Sequence, residues 1–166
     1  MDRGMIPTMS EPTRAPWLKW LLAGAFIAGA IDITYAILFS YLRRGTAPER
    51  LLQFVASGAL GPAAFEGGRT TAGLGLGFHF LNALIITAIF FAVAVRLPEL
   101  LHRPLLTGMA WGVVVYVVMT FIVVRLSRIG PRPIPRPDAM ISGLLIHMFG
   151  IGTPMVLAAR RAFRPS

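Results

Sequence analysis

The chain has 166 residues, enough for one domain, and 55% of them are hydrophobic against 14% charged, a balance that a soluble core of this size could hardly bury. The absence of cysteine excludes disulfides, thiolate nucleophiles and cysteine-ligated metals. Sixteen Lys and Arg against seven Asp and Glu give a formal charge of +9; the arginines stand at the ends of apolar runs, which suits contact with membrane lipids, and no basic face or aromatic-interleaved stripe points to nucleic acid.

Residues 1–16 (MDRGMIPTMSEPTRAP) are polar and rich in proline, and read as a disordered tail. A cleaved signal peptide is the rival reading, because Ala28-Gly29-Ala30 resembles a small-residue cleavage site. The apolar run continues past Asp32 to Leu42, too long for the core of a signal peptide. The first membrane span is therefore placed at Trp20–Leu42, with Trp17, Trp20 and Lys19 at one end and Tyr41, Arg43 and Arg44 at the other as interfacial anchors.

The connection from Arg43 to Arg69 is more than a loop. Thr46-Ala47-Pro48-Glu49 has the spacing of a capping box, and Leu51, Leu52, Val55 and Ala59 follow at helical spacing up to Gly61-Pro62. This predicts a helix over about 47–60, too short to cross a bilayer and so interfacial or re-entrant. Gly67-Gly68 allows a sharp turn into a second span at Thr70–Val95, which carries no formal charge. The short connection from Arg96 to Pro104 predicts that the second and third spans are antiparallel neighbours. The third span covers Leu105–Val124. The proline run from Gly130 to Pro137 reads as an extended polyproline spacer, with a docking segment for a proline-recognising partner as the alternative. Asp138 reads as the N-cap of a fourth span at Ala139–Ala159, bent by Gly150, Gly152 and Pro154. Residues 17–164 thus form a single transmembrane domain, all-α: an integral membrane four-helix bundle with one short interfacial or re-entrant helix. Lys and Arg divide equally between the two sides, so charge asymmetry gives no orientation.

In lipid, helices approach through small residues. Gly73-x-x-x-Gly77 and Gly108-x-x-x-Gly112 have the required spacing, Gly24-x-x-x-Ala28 approximates it, and Gly143 and Gly150 flank His147 in the fourth span. Contact within one bundle is the expected use, and homo-oligomer formation the alternative. Gly75-x-x-x-His79-x-x-Asn82 and Gly143-x-x-x-His147-x-x-Gly150 form a weak internal echo, of the kind a duplicated two-helix hairpin would leave.

An ionisable residue in mid-span faces the bundle interior or a wet cavity. Asp32 is such a residue, and Gly24, Ala28, Asp32 and Tyr35 share a face, where phenol and carboxyl can share a hydrogen bond. His79 and Asn82 share a face of the second span, and His147 lies in the fourth. Asp32, Tyr35, His79, Asn82 and His147 are therefore the candidates for a polar interior that binds a ligand. Two histidines on different helices also permit axial ligation of a haem, and His79 and His147 with Asp32 or Glu66 a metal site. A lipid-acting enzyme using Asp32 or Glu66 with a histidine is a third reading. Glu66 more simply pairs with Arg69. No nucleophile motif, metalloprotease motif or nucleotide-binding loop is present, so no catalytic residue, metal ligand or cofactor is assigned. The expected role is non-enzymatic: binding of a ligand, lipid or partner, or passage of a proton or small solute.

Leu52-Gln53, Ala56-Ser57-Gly58, Leu60-Gly61, Ala64-Phe65 and Gly67-Gly68 resemble the opening signature of a family of uncharacterised small bacterial integral-membrane proteins, the YagU-like proteins. Gly75-Leu76, His79-Phe80, Gly112-Val113-Val114-Val115-Tyr116 and His147-Met148 resemble its later part. The resemblance spans about residues 18–160. It implies four spans in a bacterial inner membrane and brings no activity, cofactor or catalytic residue with it.

Overall fold

The apolar runs form four long helices in a computed structural model that describes residues 16–130, 133 and 136–163. They are α1 (Pro16–Arg44), α3 (Gly68–Arg96), α4 (Pro104–Leu126) and α5 (Pro137–Ala162), with the shorter α2 (Pro48–Leu60) between the first two. All four long helices have the length and apolarity to cross a membrane. Phe26 is 63% exposed and Ile89 50% exposed, and such side chains recur on the outer faces of all four, a surface suited to acyl chains rather than water. The tail that reads as disordered (residues 1–15) and most of the proline run (131, 132, 134 and 135) lie outside the described residues.

The starts of α2 and α5 differ from expectation by one or two residues, for a common reason. Proline takes the first helical position in α2 and α5, where its missing N–H costs nothing. The N-caps are consequently Ala47 and Arg136, without a side-chain cap bond. Thr46 therefore does not form the expected capping box, and Asp138 sits inside the first turn of α5 rather than capping it. Gly61 ends α2 at φ +68°, a left-handed conformation that a Cβ disfavours; a single 3₁₀ turn, Gly61–Phe65, then leads to α3.

Two stretches depart from α geometry. In α5 the residues His147–Gly152 are π-helical: Thr153 donates its backbone N–H to the Met148 carbonyl, and its hydroxyl bonds the same oxygen at 2.9 Å. Pro154, which lacks an N–H, cannot continue the α ladder there, so the bend expected from Gly150, Gly152 and Pro154 takes the form of a widened turn. In α4 the residues Val118–Val123 are also π-helical, with Val124 N–H bonded to the Met119 carbonyl. Neither glycine nor proline lies in that stretch, and nothing in its sequence marks it.

Close approaches fix the packing. Along α1, Gly24, Gly29, Ile31 and Tyr35 meet, in turn, Ala158 and Thr87, Phe80 and Ala83, Gly150, and Ser142. Hence α1 lies antiparallel to both α3 and α5. Gly108 and Gly112 face Thr153 and the His147 carbonyl, so α4 runs antiparallel to α5 with backbones in contact, as small residues permit. A Cβ at Gly112 would collide with the His147 backbone. Gly143 accommodates the Tyr116 ring, and Gly150 the Ile31 side chain. Gly73 and Gly77, by contrast, meet nothing within 4 Å of an added Cβ; their expected contact within the bundle does not form.

The expected neighbour relation of α3 and α4 also needs correction. They are antiparallel and joined by the turn Pro98–Leu101, but their backbones scarcely approach. Phe90 and Trp111 meet across the gap as tilted rings with centroids 5.2 Å apart near the joined end, where Leu21, Phe91, Ala94, Leu101, Val156 and Ala159 form the main core. Toward the other end the two helices diverge. The bundle therefore has one packed end and one open end.

Candidate functional site

Between the diverging halves of α3 and α4 lies a cavity of about 630 Å³. Ala28, Val115, Ile151 and Met155, themselves a second core cluster, form its floor. Its walls carry Asp32 from α1, His79, Asn82 and Ile86 from α3, Met119 and Thr120 from α4, and His147 from α5. Both π-helical stretches face it, a placement frequent for such turns at functional sites.

Helix α2 lines the wide end with Phe54, Val55 and Gly58, and its position is strongly determined. Gly75 of α3 admits the Leu52 carbonyl so closely that no side chain fits there. Buried Gln53 donates to the Gly68 carbonyl at 3.1 Å, and Thr71 donates to the Ala64 carbonyl at 2.6 Å. Arg50 lies over the Phe65 ring at 4.1 Å. From the far wall, Arg128 N–H donates to the Gly58 carbonyl at 3.0 Å, so the end of α4 is tied to the end of α2. The helix expected to be interfacial or re-entrant is thus the bridge across the gap.

His79 Nε2 lies 2.8 Å from the Gly29 carbonyl on α1, and His147 Nδ1 lies 2.8 Å from the Gly143 carbonyl on its own helix. A carbonyl only accepts, so each bonded nitrogen carries a proton. The echoing segments of α3 and α5 therefore use their histidines differently. Among the described residues, neither the Asp32 carboxyl nor the Asn82 amide has a hydrogen-bond or ion-pair partner in the protein. Both line the cavity.

Tyr35 does not bond Asp32. Its hydroxyl donates to Ser142 Oγ at 2.8 Å, and Ser142 donates to the Asp138 carbonyl at 2.8 Å, so Tyr35 ties α1 to α5 outside the cavity lining. Glu66 is exposed and forms no ion pair with Arg69 among the described residues; the carboxylate bridged at the open end is Asp138, by Arg43 and by Arg136 at 3.4 Å.

The histidines share the cavity, yet a bis-histidine haem site ordinarily uses Nε2 of both rings, and His79 Nε2 is bonded to Gly29. His79, His147 and Asp32 or Glu66 do not gather into a metal site: among the described residues no three His, Asp or Glu side chains come together. Sequence reasoning missed Thr120, Arg44, Arg125 and Arg136, which also line the cavity. Arginines at helix ends look like membrane anchors, and only the tertiary arrangement turns these three toward a common space.

No protein-family model, curated protein or solved structure matches the chain.

Proposed function

We propose that the protein is a non-enzymatic binding protein of a bacterial inner membrane that takes a small amphipathic molecule into the cavity between α3 and α4. The observation that carries this reading is the pair Asp32 and Asn82, polar side chains at mid-membrane depth without protein partners and facing a shared cavity. Polar groups left so in a membrane interior are costly to stability and mark sites where function outweighs packing. The volume falls in the range of small-molecule sites, and the lining mixes an apolar majority with a few convergent polar groups. Binding is favoured over passage by the packed end, where Phe90, Phe91, Leu101 and Val156 close the bundle. A YagU-like membership is compatible with this architecture and is proposed with it.

A lipid-acting enzyme retains one supporting observation, since Asp32 and His79 line the same cavity. No hydrogen bond joins them among the described residues, so no oriented acid–base pair is present, and the binding reading is preferred.

The test is lipid mass spectrometry on protein purified from membranes in mild detergent. Wild type should carry a bound amphiphile in near-stoichiometric amount. Ile86→Trp, which fills the cavity from α3, should lose it. Equal lipid content in both proteins would overturn the proposal.

A further inference from the structure

Building on the cavity reading, we infer that the ligand is an acidic amphiphile. Its phosphate or carboxylate head lies at the cavity rim among Arg44, Arg125 and Arg136, and its apolar body runs inward over Ile86, Val115 and Met119. The three guanidiniums come from three different helix ends: the last residue of α1, the last turn of α4 and the residue before α5. They are far apart in sequence, yet all line one cavity.

The charge at this rim is poorly balanced. Asp138 is shared between Arg43 and Arg136, while Arg44 and Arg125 have no ion-pair partner among the described residues. Among the described residues the carboxylate that lines the cavity is Asp32; it lies about 18 Å down α1 from Arg44 at 1.5 Å per residue, too deep to neutralise the rim. A guanidinium presents a planar fork of donors that matches phosphate or carboxylate geometry, and three of them above an apolar shaft define a ligand with a charged head and a greasy tail. A second hollow of about 500 Å³ adjoins the rim, sharing Arg44 and Arg136 and lined also by Phe39, Leu42 and the paired Arg43 and Asp138, which gives the head group room to extend beyond a bare phosphate. Arginines at the packed end, such as Arg96 and Arg103, are exposed and line no part of this cavity. General headgroup anchoring, which they serve equally well, does not account for the rim.

The polarity of the site follows: head at the open end, tail toward Met155, with Asp32 and Asn82 meeting whatever polar group the tail carries partway down. Occupancy should be read by native mass spectrometry on the detergent-solubilised full chain, with dodecyl phosphate, dodecanol and inorganic phosphate as probes. Wild type should bind dodecyl phosphate at least about tenfold more tightly than dodecanol, a step of 1.4 kcal/mol. Inorganic phosphate should bind far more weakly than either. The preference for phosphate over alcohol should vanish in Arg44→Gln/Arg125→Gln, be largely kept in Arg44→Lys/Arg125→Lys, and be unchanged in Arg96→Gln/Arg103→Gln. Equal binding of phosphate and alcohol by wild type would overturn the acidic head while leaving the cavity reading intact. A phosphate preference that rises several-fold in Asp32→Asn, as relief of like-charge repulsion would make it, would place the head beside that carboxylate at the bottom and contradict the inferred polarity. Inorganic phosphate competing on equal terms would reduce the ligand to a free anion and overturn the amphiphile. Binding of neither dodecyl compound would overturn this inference and the cavity reading together.

Discussion

At the scale of single residues, the informative contrast is between polar groups that are satisfied and polar groups that are not. Tyr35, His79, Thr71 and Gln53 each spend a hydrogen bond on another element and hold helices in place, while His147 bonds back to its own helix. Asp32 and Asn82 do neither. A side chain kept for a ligand should be replaceable without loss of stability, so Asn82→Leu is expected to unfold in detergent at the same denaturant concentration as wild type or higher, while losing bound amphiphile. A loss of more than about 1 kcal/mol, the scale of one protein hydrogen bond, would show instead that Asn82 has a structural partner. Four of the five polar candidates reach the cavity, and they were legible because an ionisable or amide group in an apolar span must turn away from lipid. Tyr35 was misassigned through its reach. A phenol extends well beyond the short Asp32 side chain and finds Ser142 on α5, a residue without any distinctive sequence signal.

At the scale of elements, glycine identity separates contacts that were readable from contacts that were not. Gly73-x-x-x-Gly77 and Gly108-x-x-x-Gly112 are equivalent as sequence, yet only the second meets another helix backbone. Gly112→Ala should therefore destabilise by about 1–3 kcal/mol, as overpacking of a tight contact does, whereas Gly73→Ala should not destabilise and should gain up to about 1 kcal/mol from helix propensity. Thermal unfolding of the two variants in the same detergent decides this, and equal effects would contradict the assigned packing. The four spans and the short helix were visible because apolar run length and proline–glycine punctuation are local properties. The π turn at Val118–Val123 was not: it contains no glycine or proline, and it lies where α4 lines a cavity that other helices build.

At the scale of the whole molecule, the sequence-based expectation erred on one point that matters most for function. A short connection makes α3 and α4 adjacent along the chain, but adjacency at one end does not compel contact along the length. Glycine-mediated approaches tie α1 to α5 and α4 to α5, leaving the half of α3 away from the joined end held by α1 and α2, and the unfilled wedge becomes the site. Helix α2, tied to Gly75 on one side and Arg128 on the other, keeps the wedge at a fixed width.

The natural absence of cysteine makes the most direct test a clean one: the rate at which a water-soluble maleimide modifies Asn82→Cys in reconstituted vesicles, with and without dodecyl phosphate. The account predicts modification from the open-end side only, slowed at least about tenfold by saturating amphiphile, on the 1.4 kcal/mol-per-decade scale. A thiol at this position that reacts from neither side, or at a rate indifferent to the amphiphile, would contradict a ligand-binding cavity between α3 and α4.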